Sequence, residues 1–144
     1  MMKRDEIVSA IVEEMRKISS SNGYYTEAGK KVFEWLERPL GDDETESIII
    51  RDPESASEAN GWTSTHILTI EIDVTAAYKK DVDTLSFRMY MSDVIKAFGV
   101  VCDEVLNVIG EYKGSEVVGE YRGKAYASAR LKFTVTYSTQ KWEE

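Results

Sequence analysis

The sequence predicts an α+β domain: a two-layer sandwich in which a mostly antiparallel sheet of about four to five strands carries two helices on one face, in the order α-β-β-α-β-β. Three observations predict it. Apolar residues recur at helical spacing over residues 4–18 and 82–98, they alternate with polar ones at strand spacing over 66–75 and 125–137, and glycines punctuate the stretch between the second helix and the last strand. A chain of 144 residues is close to the modal size of one domain, so residues 1–144 read as a single unit around one core.

The first helix rests on Ile7, Val8, Ile11, Val12, Met15 and Ile18, with Asp5 and Glu6 at its positive N-terminal end and Arg16 and Lys17 at the other. Ser19, Ser20, Ser21, Asn22 and Gly23 stop it, since small polar residues and Asn-Gly favour turns. Residues 31–36 lean to strand, closed by Pro39 and Gly41. After the acidic stretch comes a β-branched run: Asp42, Asp43, Glu44 and Glu46 are read as a solvated loop or as an acidic rim, and Ile48, Ile49, Ile50 predict a buried strand ending at Pro53. Residues 54–61 are small, polar and without period, which predicts a mobile loop that orders only on assembly.

From His66 the alternation is clean: Leu68, Ile70, Ile72 and Val74 face one way, Thr69, Glu71, Asp73 and Thr75 the other. The second helix is read from Val82, Leu85, Met89, Ser92, Ile95 and Phe98, with Gly99 as its stop. Residues 100–109 fit either a helical turn or a strand. Gly110, Gly114, Gly119 and Gly123 argue for hairpins, and the last strand alternates Ala127, Ala129, Leu131, Phe133, Val135 and Tyr137 against Ser128, Arg130, Lys132, Thr134 and Thr136. If both helices cover one sheet face, the other face carries Thr69, Glu71, Asp73, Arg130, Lys132 and Thr134, a polar, patterned surface able to meet a neighbour.

Composition narrows the function. There are 18 basic against 26 acidic side chains, a net charge of −8, and no basic tract longer than the pairs Lys30-Lys31 and Lys79-Lys80, so the footprint of a phosphate-backbone binder is missing. Such a charge repels a polyanion passing close by without holding it. The lone Cys102 has no partner for an internal disulfide and the amphipathic N-terminus is unlike a signal peptide, so a reducing, cytosolic setting is expected. No apolar run approaches the ~20 residues of a membrane span.

Chemistry is sparse. One histidine, His66, and one cysteine are too few for a zinc site; His66 reads as a capping or surface residue and Cys102 as a small buried one. The glycines precede strands, which is the wrong place for a phosphate cradle. A metal-dependent enzyme using Glu71 and Asp73, with Asp52, is the remaining catalytic route, but the Asp, Glu-x-Lys pattern of metal-dependent nucleases would want a lysine where Asp73 stands. No catalytic residue, metal or cofactor is therefore expected. Trp35, Trp62 and Trp142 lie near element ends, and aromatics there favour interfaces because they bury much area for few frozen torsions. The interface candidates are Trp62, Glu71, Asp73, Arg130, Lys132 and Trp142.

Taken in order, RDEIVSAIVEEM, SIIIRD, a polar loop, HILTIEIDV, DTLSFRMYMSDVIKAF and ARLKFTVTYS resemble the small tail terminator proteins of long-tailed phages and prophages, also described as tail completion or minor tail proteins. The resemblance covers nearly the whole chain and lies in element order and length. It implies a virion structural protein that is monomeric or weakly associated when free, forms a hexameric ring at the head-proximal end of the tail tube, stops tube polymerisation and presents a surface to the head connector. Its implied partners are copies of itself, the tail tube protein and the head-tail connector protein, with no membrane and with DNA only in transit. The implied location is the host cytoplasm during assembly and then the virion tail. Another small head-tail connector or neck protein is the alternative in the same class.

Overall fold

The computed structural model describes residues 2–35 and 46–144; the expected features at Pro39, Gly41, Asp42, Asp43 and Glu44 lie outside the described residues, whereas Glu46, expected in the same acidic loop, begins a strand and accepts from the Tyr90 hydroxyl at 3.1 Å. Helix α1 (Lys3–Arg16) buries Ile7, Val8, Ile11, Val12 and Met15 and carries Asp5 and Glu6 in its first turn and Arg16 in its last, the arrangement that suits the helix dipole. A tight turn ending at Gly23, whose φ of 87° lies in the left-handed region open to glycine, sends the chain back towards the sheet.

Five strands follow in the spatial order β1-β2-β3-β5-β4: β1 (Val32–Glu34), β2 (Glu46–Asn60), β3 (Thr63–Tyr78), β4 (Ile109–Tyr121) and β5 (Ala125–Gln140). Only β1 and β2 are parallel; the other neighbours are antiparallel. Helix α2 (Thr84–Val100) sits between β3 and β4 in the chain and starts at Asp83, whose carboxylate accepts from the Ser86 N–H at 3.1 Å. The element order is thus the expected one with the short β1 as an additional strand.

Both helices cover one sheet face. Leu68, Ile70, Ile72 and Val74 of β3 and Ala129, Leu131, Phe133 and Val135 of β5 share a single core with Ile7, Ile11 and Met15 of α1 and Phe87, Val94 and Phe98 of α2. Phe98 stacks on Phe133 with ring centroids 4.1 Å apart. Burying a side chain of this size contributes about 1.5–3 kcal/mol, so the alternation of β3 and β5 decides which face turns inward.

Three sequence expectations need correction. Residues 54–61 are not a mobile loop, and β2 does not end at Pro53: the strand bulges between Arg51 and Glu54, where Pro53 owes no ladder hydrogen bond, then pairs with β3 as far as Asn60↔Thr63. Gly61, at φ 68°, and Trp62 form the two-residue hairpin connection, so ordering on assembly loses its basis. Gly99 does not stop α2. The helix runs on into a π-turn (Val101–Val105), in which the Leu106 N–H donates to the Val101 carbonyl at 2.8 Å, because Val101 and Cys102 are buried and packing outweighs one glycine. This also resolves residues 100–109: a helical end, a reversal at Asn107 (φ 52°), then β4. Finally, the buried row of α2 is Phe87, Val94, Ala97 and Phe98, while Leu85 and Ser92 face solvent.

Candidate functional site

The expected interface residues fall into two groups. Four of them meet on the sheet face opposite the helices, where Glu71 lies opposite Lys132 and Asp73 opposite Arg130 in the β3–β5 register. Arg130 ties its rungs together: its Nε lies 2.9 Å from Asp73 Oδ1 and 3.0 Å from Glu71 Oε2, and its Nη2 donates to Asp73 Oδ2 at 3.2 Å. Arg51 of β2 pairs with Asp73 from the other side. The Asp73 carboxylate raises the Arg130 guanidinium above its usual value, first by hydrogen bonding and then by charge.

The three carboxylates considered for a metal have partners in this network. Glu71 and Asp73 are engaged by arginines, and Asp52 accepts from Arg4 Nε at 2.7 Å and from the Trp35 indole at 2.7 Å. Among the described residues no group of three or more His, Cys, Asp or Glu is placed to hold a metal ion. Lys132, exposed beside Glu71, completes a mixed-charge surface suited to meeting another polar surface.

Trp62 and Trp142 form the second group, about 30 Å from the first if one counts the nine residues from Trp62 to Glu71 at roughly 3.3 Å each. Trp62 is 86% and Trp142 90% exposed. The Lys141 N–H donates to the Trp62 carbonyl at 2.9 Å, which puts both indoles at one end of the sheet. Trp142 has a φ of 73°, an uncommon conformation for a large side chain. Trp35, by contrast, is half exposed and tethered to Asp52.

Behind this tip the chain is clamped. Arg4 reaches from α1 to the Asp52 carbonyl at 2.8 Å and to Glu144 Oε1 at 2.7 Å, and Ser55 Oγ donates to the same Glu144 oxygen at 2.6 Å. The Ser55 hydrogen bond, opposed by burial and reinforced by Arg4, holds the Glu144 carboxyl below the usual carboxylate range.

His66 is buried rather than capping or exposed, and bridges three strands. Its Nδ1 lies 2.6 Å from Ser57 Oγ of β2 and its Nε2 2.8 Å from Thr139 Oγ1 of β5. Thr139 donates its only proton to the Gln140 or Glu143 carbonyl, at 2.9 and 3.0 Å, so Nε2 carries the proton given to Thr139. A hydroxyl, not a carboxylate, therefore backs the imidazole, and the arrangement works as a cross-strand clasp. Cys102 is buried as expected, and burial pushes its thiol up to about 11.

Two features escaped the sequence reading. Asp93, on α2, is buried and accepts from the Tyr25 N–H at 3.0 Å, the Thr26 N–H at 2.8 Å and the Thr26 hydroxyl at 2.7 Å, fixing the segment after α1. The other is β4. Among the described residues β4 pairs only with β5, and Ile109, Tyr112, Val117, Val118 and Tyr121 all expose much of their surface along it. The adjacent valines between Gly114 and Gly119 were the available signal.

No family model and no curated protein matches this chain. Among the described residues no helix is long and apolar enough to cross a membrane.

Proposed function

We propose that this chain is a virion structural protein that caps the head-proximal end of a phage or prophage tail tube, acting as a ring-shaped oligomer that stops polymerisation and joins tail to head. It acts through surfaces and breaks no bonds. The observation that carries the reading is the tryptophan tip. Two indoles almost wholly in water, together at one end of the sheet, are the residue type and geometry of interface anchors, each typically contributing about 2 kcal/mol or more to a complex. The element order shared with tail terminators supports the same reading. So does the polar sheet face of Glu71, Asp73, Arg130 and Lys132, which offers a second contact surface of mixed charge.

The division of labour follows from the positions. The tip supplies the apolar contact to the tube or connector, and the mixed-charge face supplies orientation between neighbouring copies. A net charge of −8 lets DNA pass without being held.

The test is tail assembly with the wild-type chain and with Trp62→Ala plus Trp142→Ala, followed by electron microscopy of tube length. Because both indoles are exposed, the double variant folds and melts like the wild type but fails to cap, giving tubes of irregular length. Tubes of unchanged length without the protein at all would sink the proposal.

A further inference from the structure

We propose that β4 is a self-pairing strand: two copies of the chain join antiparallel through this edge, across a two-fold axis at Val117, into one continuous sheet. The inference does not rest on the ring reading.

The first argument is the edge itself. β4 has 13 residues, a margin of about 43 Å at roughly 3.3 Å per residue, and among the described residues it hydrogen-bonds to β5 alone. A long edge with apolar side chains in water is a template for another strand unless something blunts it. Here Val117 is 57%, Val118 63% and Tyr121 72% exposed. A groove of about 450 Å³ lined by Val82, Phe87, Met91, Val117 and Val118 opens beside the same edge.

The second argument is register, and it selects the occupant. Residues facing each other across an antiparallel pair must lie on the same sheet face. Tyr112, Ser115, Val117, Gly119 and Tyr121 lie opposite Phe133, Leu131, Ala129, Ala127 and Ala125, on the helix side; Glu111, Gly114, Glu116, Val118 and Glu120 lie on the open side, and the bulge falls at Lys113. Arg122 is on the open side too, with its Nε 3.3 Å from Glu120 Oε1 and its guanidinium 4.7 Å from the Tyr126 ring centroid.

Place Val117 opposite Val117 of the second copy. Then Glu116 faces Val118, Ser115 faces Gly119, and Gly114 faces Glu120. Once the bulged Lys113 is passed over, Tyr112 faces Tyr121 and Glu111 faces Arg122, each contact occurring twice. Every pair keeps to one face, the bulge is absorbed, and opposite charges meet. A centre at Glu116 puts that carboxylate against itself, and a centre at Val118 puts Glu116 against Glu120; like charges directly opposite destabilise a sheet. The free margin of β2 is a poorer occupant, because Glu54 and Glu58 add carboxylates to an edge that already carries Glu111, Glu116 and Glu120. A two-fold pair points its two chains in opposite directions and does not close a ring, so it is the state of the free chain.

Sedimentation of the purified chain tests the pairing, and cysteine cross-linking tests the register. The wild type runs at twice the chain mass; Val117→Lys, at an exposed position, keeps its circular dichroism and melts like the wild type at the lowest workable concentration but runs as a monomer. Glu111→Arg and Arg122→Glu each weaken the dimer, and the double variant restores it. Under mild oxidation Val117→Cys cross-links to itself while Val118→Cys, facing Glu116, does not; buried Cys102 stays out of the reaction. A wild type that stays monomeric at all workable concentrations overturns the proposal. So does an oligomer that Val117→Lys leaves intact, or cross-linking as efficient at 118 as at 117.

Discussion

The two margins of the sheet meet the same physical demand in opposite ways. On the β2 side β1 lies over residues 48–50, the Trp35 N–H donates to the Ile50 carbonyl at 3.0 Å, and Arg4 donates to the Asp52 carbonyl at 2.8 Å, while residues 56–60 stay exposed. On the β4 side nothing among the described residues covers the strand, and its valines and tyrosines stand in solvent. Strand edges must find donors and acceptors somewhere. Over residues 48–52 the first margin finds them in segments of its own chain; the second leaves them in solvent. A substitution in the first margin should therefore cost folding stability, and one in the second should cost association.

The largest effect is expected at Arg4. Hydrogen bonds to charged groups contribute about 1.5–3 kcal/mol, and Arg4 makes three such bonds to Asp52 and Glu144 while partly buried, so Arg4→Ala should lower stability by about 2–3 kcal/mol in denaturant unfolding. The acid limb should change as well. The Glu144 carboxyl is held below its unfolded value of about 4.3, so its stabilisation is complete above that pH and is lost as pH falls through the lower, folded value. Without Arg4 part of that gap closes, and the decline below about pH 4 becomes shallower. A loss under about 0.5 kcal/mol, or an unchanged acid limb, would mean that the β2 margin is held by β1 alone.

A smaller cost is expected at Gly110, where the free margin is rooted in the core. A Cβ there would stand 2.3 Å from Cys102 Sγ and 3.1 Å from Phe98 Cε1, so Gly110→Ala should destabilise by about 1–3 kcal/mol through overpacking. Adding Cys102→Ala removes the nearest atom and should recover part of the loss. Strictly additive costs in the two single variants and the double would show that the clash relaxes elsewhere.

The same contrast explains what the sequence disclosed. The strands β3 and β5 were legible because each has one face in the core and one in water, which writes a period of two into Leu68, Ile70, Ile72 and Val74 and into Leu131, Phe133 and Val135. From that alternation the open-face cluster of Glu71, Asp73, Arg130 and Lys132 followed. The outer half of β2 was not legible, because Ala56, Ser57, Glu58, Ala59 and Asn60 are exposed on both faces and nothing selects apolar residues at alternate positions. Asn60-Gly61, a hairpin signal, was absorbed into what looked like a loop. Asp93 could not be found by pattern at all, since a helical carboxylate that accepts three hydrogen bonds from a distant turn is spelled like one facing water. Trp62 and Trp142 stood out because they belong to no period.

The smallest effect is expected on β4 itself. Val118→Thr keeps the β-branched shape and strand propensity while adding a hydroxyl that water can satisfy, so in a chain held monomeric by dilution it should shift stability by less than about 0.5 kcal/mol. The measurement is a melting curve at the lowest workable concentration, repeated at a high one. At high concentration a two-fold dimer adds binding energy to the folded state, and Val118, facing Glu116 of the second copy, then lies inside the joined sheet, so wild type and variant should separate only there. A cost that is large and independent of concentration would place Val118 under cover within its own chain, and the two margins would no longer differ in kind.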